Sequence, residues 1–246
     1  MSDRSSEPTA RSSRSGNAVP EPTVTNLFDS IAPVYDRMNT LMTAGMDGRW
    51  RRAAVRASRL RPGNSALDVA CGTGKLTREM AVVVGERGRV VGVDISAAML
   101  DQARKELSDV PWIELRQGNA LELPVEDGTF DAVTIAFGMR NLADYEAGFR
   151  ELARAVKPGG RVVCLELSVP RSPRAGRLYT LLFRMSAPAM GMLFGQRSAY
   201  SYLPQSLEGF PGAERMAAIM RDAGLRDVRF KRLALGLVAI HVGIAA

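Results

Sequence analysis

Residues 67–77, LDVACGTGKLT, join an apolar run to a helical pattern through two glycines. The apolar run predicts a strand and the pattern after Gly74 a helix, so the turn falls at the C-terminal end of a strand, where open parallel sheets hold ligands. A dinucleotide turn reads G-x-G-x-x-G. Gly72 and Gly74 supply its first two glycines, but position 77 is threonine, and the residue that lets helix and strand pack closely is lost. Two acids remain informative. Asp94 closes the next apolar run, 20 residues beyond Gly74, where a carboxylate can accept hydrogen bonds from both hydroxyls of a ribose. Asp68 lies inside the first strand, an odd place for a charge unless hydrogen bonds reach it; a capping or turn role is the structural alternative.

Outward from the turn, short β-branched runs alternate with helical patterns: SALDVA, a helix over 73–84, GRVVGVD, a helix over 96–107, PWIELRQG, FDAVTIAFG, a helix over 144–156, the turn KPGG and RVVCLEL. That rhythm predicts βαβ units, a parallel sheet, right-handed crossovers and helices on both faces. Further on, GAERMAAIMRDAGL predicts an amphipathic helix capped by Gly224. The last two runs, RDVRFKRLA and LGLVAIHVGIAA, lie too close together for a crossover helix and must pair as an antiparallel hairpin.

Before the turn, residues 24–60 predict two or three helices with a break around 43–48. Met38, Met42 and Met46 fall on one face if the helix persists that far, as a core stripe or as an adaptable lid over an apolar substrate. Residues 170–210 carry apolar and aromatic residues without a strand signature. Arg184 and Pro188 interrupt their most apolar part, which falls short of the about 20 residues a bilayer requires, so a helical insert over the site is expected.

Residues 1–23 are rich in Ser, Arg and Pro, with no apolar run, and predict a disordered tail. They lack the apolar stretch of a signal peptide, although an Arg- and Ser-rich start leaves an organellar transit peptide as an alternative. The 246-residue chain is 46% hydrophobic and carries a formal charge of +7. No basic block alternates with aromatics, so nucleic acid is not an expected partner, whereas attraction to an anionic membrane surface is. Cys71 and Cys164 lie far apart in predicted core elements and His241 is the sole histidine, which suggests neither a disulfide framework nor a zinc site and fits a reducing cytosol.

The glycine turn between two acids, together with the terminal hairpin, resembles the class I methyltransferases, which bind S-adenosylmethionine (SAM). That resemblance implies a Rossmann-like α/β fold: a seven-stranded, mostly parallel sheet with one antiparallel strand and helices on both faces. In such proteins the turn holds the amino-acid portion of SAM and the second-strand acid its ribose. By resemblance Gly72, Thr73 and Gly74 take the first role, Asp94 the second, and Ile95 lies beside the adenine. The acid before the glycines puts Asp68 in the same set. The stretch QGNALELPVEDGTFDAV adds Asn119, with Ala120, as the contact for the adenine amino group. Ala136 takes a position where many relatives have serine, so any side-chain hydrogen bond there is lost.

Longer stretches narrow the resemblance. YDRMNTLMTAGMDGRW at 35–50, FGMRN at 137–141, KPGGRVVCLELS at 157–168, YSYLPQSLEGFP and GLVAIHVG look like the marks of the quinone-biosynthesis C-methyltransferases, the demethylmenaquinone and ubiquinone-precursor group. The likeness runs from Phe28 to the C-terminus, within a methyltransferase domain expected over 24–246. Thr43 departs from a usual serine and Asp47 from a common histidine, so a role for that histidine does not carry over. The resemblance implies a metal-free transfer from SAM to a ring carbon of a polyprenyl quinol, demethylmenaquinol being the leading candidate. The benzoquinol of ubiquinone synthesis, another small molecule, or a catalytically silent SAM-binding regulator are the alternatives.

Such a transfer needs a cation or base near the phenolate and a group that orients the ring. Arg140 is the candidate for the first, alone or through a water held with Asn141, and Tyr35 for the second. Arg140 and Asn141 could instead cap the next helix or pair with Asp144, and His241 fits a satisfied core histidine. Glu166 could orient an N-terminal helix or reach the substrate. An isoprenoid tail asks for an apolar channel, which 175–203 could line if they do not form a core pair or a homodimer interface. Cytoplasmic location, with peripheral contact at the inner membrane face, follows from such a substrate.

Overall fold

The computed structural model describes Gly16 and residues 20–168 and 210–246. The apolar channel expected at 175–203 and nearly all of the predicted insert lie outside those residues, as does most of the predicted tail. Seven strands form one sheet: β1 (Ser65–Val69), β2 (Arg89–Asp94), β3 (Ile113–Gln117), β4 (Phe130–Ala136), β5 (Val156–Leu167), β6 (Arg226–Leu233) and β7 (Val238–Ile244), in the order β3-β2-β1-β4-β5-β7-β6. Neighbouring pairs among β1 to β5 are parallel, and β7 runs antiparallel to both β5 and β6. The expected hairpin therefore forms and supplies the one antiparallel strand.

From β1 the chain builds outward to β2 and β3, then returns to β4 on the other side. This reversal opens a crevice at the carboxyl ends of β1 and β4. Alternation along the strands divides the core. Leu67, Val91 and Val133 face the cluster containing Phe149, Leu152 and Met216, from α6 (Tyr145–Ala155) and α7 (Ala213–Asp222). Ala66, Val90 and Ala132 face Leu76 and Met80 of α4 (Lys75–Val84) and Val55 of α3 (Asp47–Ser58). Both faces are covered, which is why the strands read as nearly continuous apolar runs.

Two more helices precede α3: α1 (Glu21–Ile31) and α2 (Tyr35–Met42). The first begins inside the stretch predicted to be tail. Helix α2 stops at Met42, and Ala44 and Gly45 take left-handed φ values of 49° and 74°, so the methionine face is broken. Met38 is buried in the core while Met46 is 40% exposed. The remaining helix, α5 (Ala97–Glu106), follows β2 and packs against α1.

Candidate cofactor and substrate site

The turn from β1 to α4 is shaped by its neighbours. Cys71 donates its N–H to Val93 O at 3.1 Å, which holds the turn against β2. Gly74, at φ 82°, stands immediately before α4, and a Cβ there would lie 2.5 Å from Leu107 Cδ1, so a side chain would separate the turn from the end of α5. At the failed third position of the dinucleotide pattern, Thr77 is fully buried and donates its hydroxyl to Asp68 Oδ2 at 2.7 Å. Thr134 of β4 donates to Asp68 Oδ1 at 3.1 Å. Two threonines thus satisfy the strand carboxylate. Asp68 is 1% exposed, and burial raises its pKa to about 6, against the lowering effect of both hydroxyls.

Asp94, at the end of β2, is differently placed. Its Oδ2 accepts the Gly72 N–H at 2.7 Å and its Oδ1 the Ser96 N–H at 2.9 Å. Burial pushes its pKa up, opposed by those backbone hydrogen bonds. Each oxygen keeps a lone pair for a further donor.

A cleft opens above the crevice, at the carboxyl ends of the strands where sheets of this kind bind ligands. Of the residues expected to hold SAM, Gly72, Asp94, Ile95, Asn119, Ala120 and Ala136 line it, and so do Tyr35 and Asn141. Ala70 and Phe137, at the ends of the adjacent strands β1 and β4, line it with left-handed φ values of 53° and 58°, a strained conformation for non-glycine residues. Glu21 and Asp94 are its acids, and no lysine or arginine is among the described lining residues. A cleft of this sign in a chain of charge +7 suits a cation and opposes a pyrophosphate.

Four expected site residues stand elsewhere. Asp68 lies beneath the cleft as the strut between β1, α4 and β4. Thr73 turns its hydroxyl to Asp36 Oδ1 at 2.9 Å and, with Gly74 and Lys75, lines a second cleft on the far side of the turn. Arg140 is not on the wall: its guanidinium pairs with Glu166 Oε1 at 2.9 Å, with side chains 6% and 1% exposed, and it also donates to Phe137 O. Glu166 accepts the Arg140 N–H as well, at 3.2 Å. So buried and paired, the guanidinium ties the turn that carries Asn141 to β5. Asp144 caps α6 through the Ala147 N–H at 2.9 Å. His241 is a core residue, with Nε2 2.9 Å from Ala213 O and a pKa lowered by burial, but its buried Nδ1 finds no hydrogen-bond partner among the described residues.

Several contacts escaped the sequence reading. Asp29 of α1 accepts from Ser96 Oγ at 2.6 Å and Ala98 N at 3.3 Å, and Glu21 accepts from Asn119 Nδ2 at 2.7 Å. Together with Asp36 on Thr73, acids of α1 and α2 fasten these helices across the carboxyl ends of β1, β2 and β3. The two departures from the signature also meet: the Thr43 hydroxyl donates to Asp47 Oδ1 at 3.2 Å, and Arg51 pairs with Asp47. Burial pushes the Asp47 pKa up, but Arg51 outweighs it and holds the carboxyl low. Arg51 in turn stacks over Phe137, 5.5 Å from the ring centre, so the departure reaches the cleft wall through one side chain.

The sheet order and the glycine turn at its switch point are those of the class I methyltransferase fold. A SAM-dependent methyltransferase structure from Thermotoga maritima shares this fold, with a TM-score of 0.63 at 19% identity over 90% of this chain and 99% of that one. The family model described as the ubiE/COQ5 methyltransferase family matches residues 16–245. A demethylmenaquinone methyltransferase of Desulfitobacterium hafniense is 43% identical over 224 residues, 89% of this chain and 88% of that protein. Another, from Lysinibacillus sphaericus, is 42% identical over 221 residues, covering 89% and 94%. The chain belongs to the ubiE/COQ5 methyltransferase family and is a SAM-dependent methyltransferase.

Proposed function

We propose that the chain methylates a ring carbon of a polyprenyl naphthoquinol, converting demethylmenaquinol to menaquinol. The observation that carries the reading is the cleft at the sheet's switch point, acidic in a basic chain, together with 43% identity to a demethylmenaquinone methyltransferase. SAM, when bound, supplies a methyl already activated on a cationic sulfonium. The donor set fits it: Asp94 offers acceptors to ribose hydroxyls, Gly72 exposes backbone without a side chain, and Ile95, Ala120 and Ala136 give the adenosyl part an apolar bed.

The chain's remaining task is to align the carbon nucleophile and keep water out, which can account for about 7–11 kcal/mol of the barrier. Tyr35 and Asn141 share the cleft with Asp94. Tyr35 orients the quinol ring, and Asn141 holds the ring hydroxyl, or a water upon it, whose loss of a proton makes the ring electron-rich. Arg140 acts as a positioning residue through Glu166. The isoprenoid tail keeps its carrier in a bilayer, so the enzyme works in peripheral contact with the membrane. The corner between α2 and α3 supports this, with exposed Leu41 and Met46 flanked by exposed Arg37 and Arg49.

Expression in a bacterium whose own demethylmenaquinone methyltransferase is deleted tests the reading. Restored menaquinone in the extracted quinone pool supports it. A pool that stays demethylated while the chain is present and folded refutes it.

A further inference from the structure

The end of the cleft beside β3 is built by two residues from distant parts of the chain. Asn119 turns its side-chain carbonyl onto the Leu121 N–H at 2.8 Å, which leaves its amide nitrogen facing away from its own loop. One of the two N–H groups of that nitrogen goes to Glu21 Oε2 at 2.7 Å. Both residues line the cleft. The rim therefore presents a spare amide donor next to a carboxylate with spare acceptor sites. Adenine has the complementary edge, a ring-nitrogen acceptor beside the 6-amino donor.

Glu21 is delivered to this place by construction. It opens α1 between Pro20 and Pro22, whose rings fix their own φ and stiffen the entry to the helix. The first-turn position suits a carboxylate. Farther along α1, Asp29 fastens the helix to Ser96 and Ala98 at the start of α5, which sets the distance across to Asn119.

On the reading that this cleft holds SAM, we infer that Glu21 accepts the 6-amino group of the cofactor's adenine and selects an adenosyl over an inosyl cofactor. Hypoxanthine replaces the amino group with a carbonyl oxygen, which would face the carboxylate with no proton between them. A site built to pair a donor rejects the analogue lacking it far more strongly than an apolar pocket does.

Calorimetric titration of the full-length protein with S-adenosylhomocysteine and S-inosylhomocysteine tests this, with wild type, Glu21→Ala and Glu21→Gln compared. The wild type should prefer the adenosyl ligand by at least about tenfold, as expected for a charge-assisted hydrogen bond. Glu21→Ala should lose on the order of tenfold for the adenosyl ligand and little for the inosyl one, so that the preference collapses. Glu21→Gln, whose amide can donate to a carbonyl, should bind the inosyl ligand more tightly than wild type does. The preference is a ratio within one protein, so a partly unfolded variant still reports it. An equal loss for both ligands in Glu21→Ala makes Glu21 only a strut for Asn119 and overturns the inference, as does no loss at all. If the wild type binds neither ligand, the cofactor reading itself falls and the inference with it.

Discussion

Two buried carboxylates show how the same group does different work according to its donors. Asp94 receives two backbone N–H groups and still faces the cleft, so it keeps capacity for a ligand. Replacing Asp94 with alanine should weaken SAM binding by about 1.5–3 kcal/mol, measured by titration with S-adenosylhomocysteine. Asp68 is held by Thr77 and Thr134 and is not among the residues lining the cleft. Its folded pKa, about 6, lies above the ordinary carboxylate value of 3.8, so the folded state binds the proton more tightly than the unfolded one. The stability this group confers is therefore full below about pH 4 and is lost as pH rises through about 6, a cost on the order of 3 kcal/mol at neutral pH. Asp68→Asn carries no such titration, so its melting temperature relative to wild type should climb between pH 4 and 7; a constant difference would contradict the assignment. The sequence marked Asp68 as anomalous in a strand but not which of its roles applied. That answer lay in Thr134, 66 residues away.

At the scale of elements, the buried Arg140–Glu166 pair ties the turn after β4 to β5. Removing one partner strands a buried charge, and Glu166→Ala should destabilise the protein by about 3–5 kcal/mol in chemical denaturation. The double variant Arg140→Met, Glu166→Leu should recover much of that stability, because two apolar side chains leave no charge uncompensated. Strands and helices around the glycine turn were legible because each carries a clean period and a turn residue. The start of α1 was not: Glu21 lies among prolines and polar residues whose composition reads as tail, and its partner Asn119 is 98 residues away. The broken methionine face has a similar cause, since the left-handed turn at Ala44 and Gly45 is set by the meeting of α2 and α3, not by the period of the methionines. Motif spacing brought Arg140 to the right turn, but not its side chain's direction, which Glu166 decides.

Across the whole molecule, the Rossmann-like sheet with its single antiparallel strand could be read in advance, because too few residues separate the last two strands for any other pairing. The charge distribution could not. Lysine and arginine exceed the acids in the chain as a whole, yet the described cleft wall carries acids alone. On the proposed membrane reading, the exposed Leu41–Met46 corner beside Arg37 and Arg49 is the contact to test; Val82 and Leu235 are exposed elsewhere. No described helix is long and apolar enough to cross a membrane. Flotation with anionic liposomes at low salt should carry the protein upward, and Leu41→Asp with Met46→Asp should reduce it severalfold; no flotation of the wild type would contradict membrane contact.

The most direct test of methyl transfer to a reduced naphthoquinone ring incubates the purified protein and SAM with reduced demethylmenaquinone, the oxidised quinone and a reduced benzoquinol precursor in separate reactions read by mass spectrometry. A product one methyl heavier from reduced demethylmenaquinone, and from neither of the others, is the predicted result. No methylated naphthoquinol from a protein that binds S-adenosylhomocysteine in the same buffer would contradict the account.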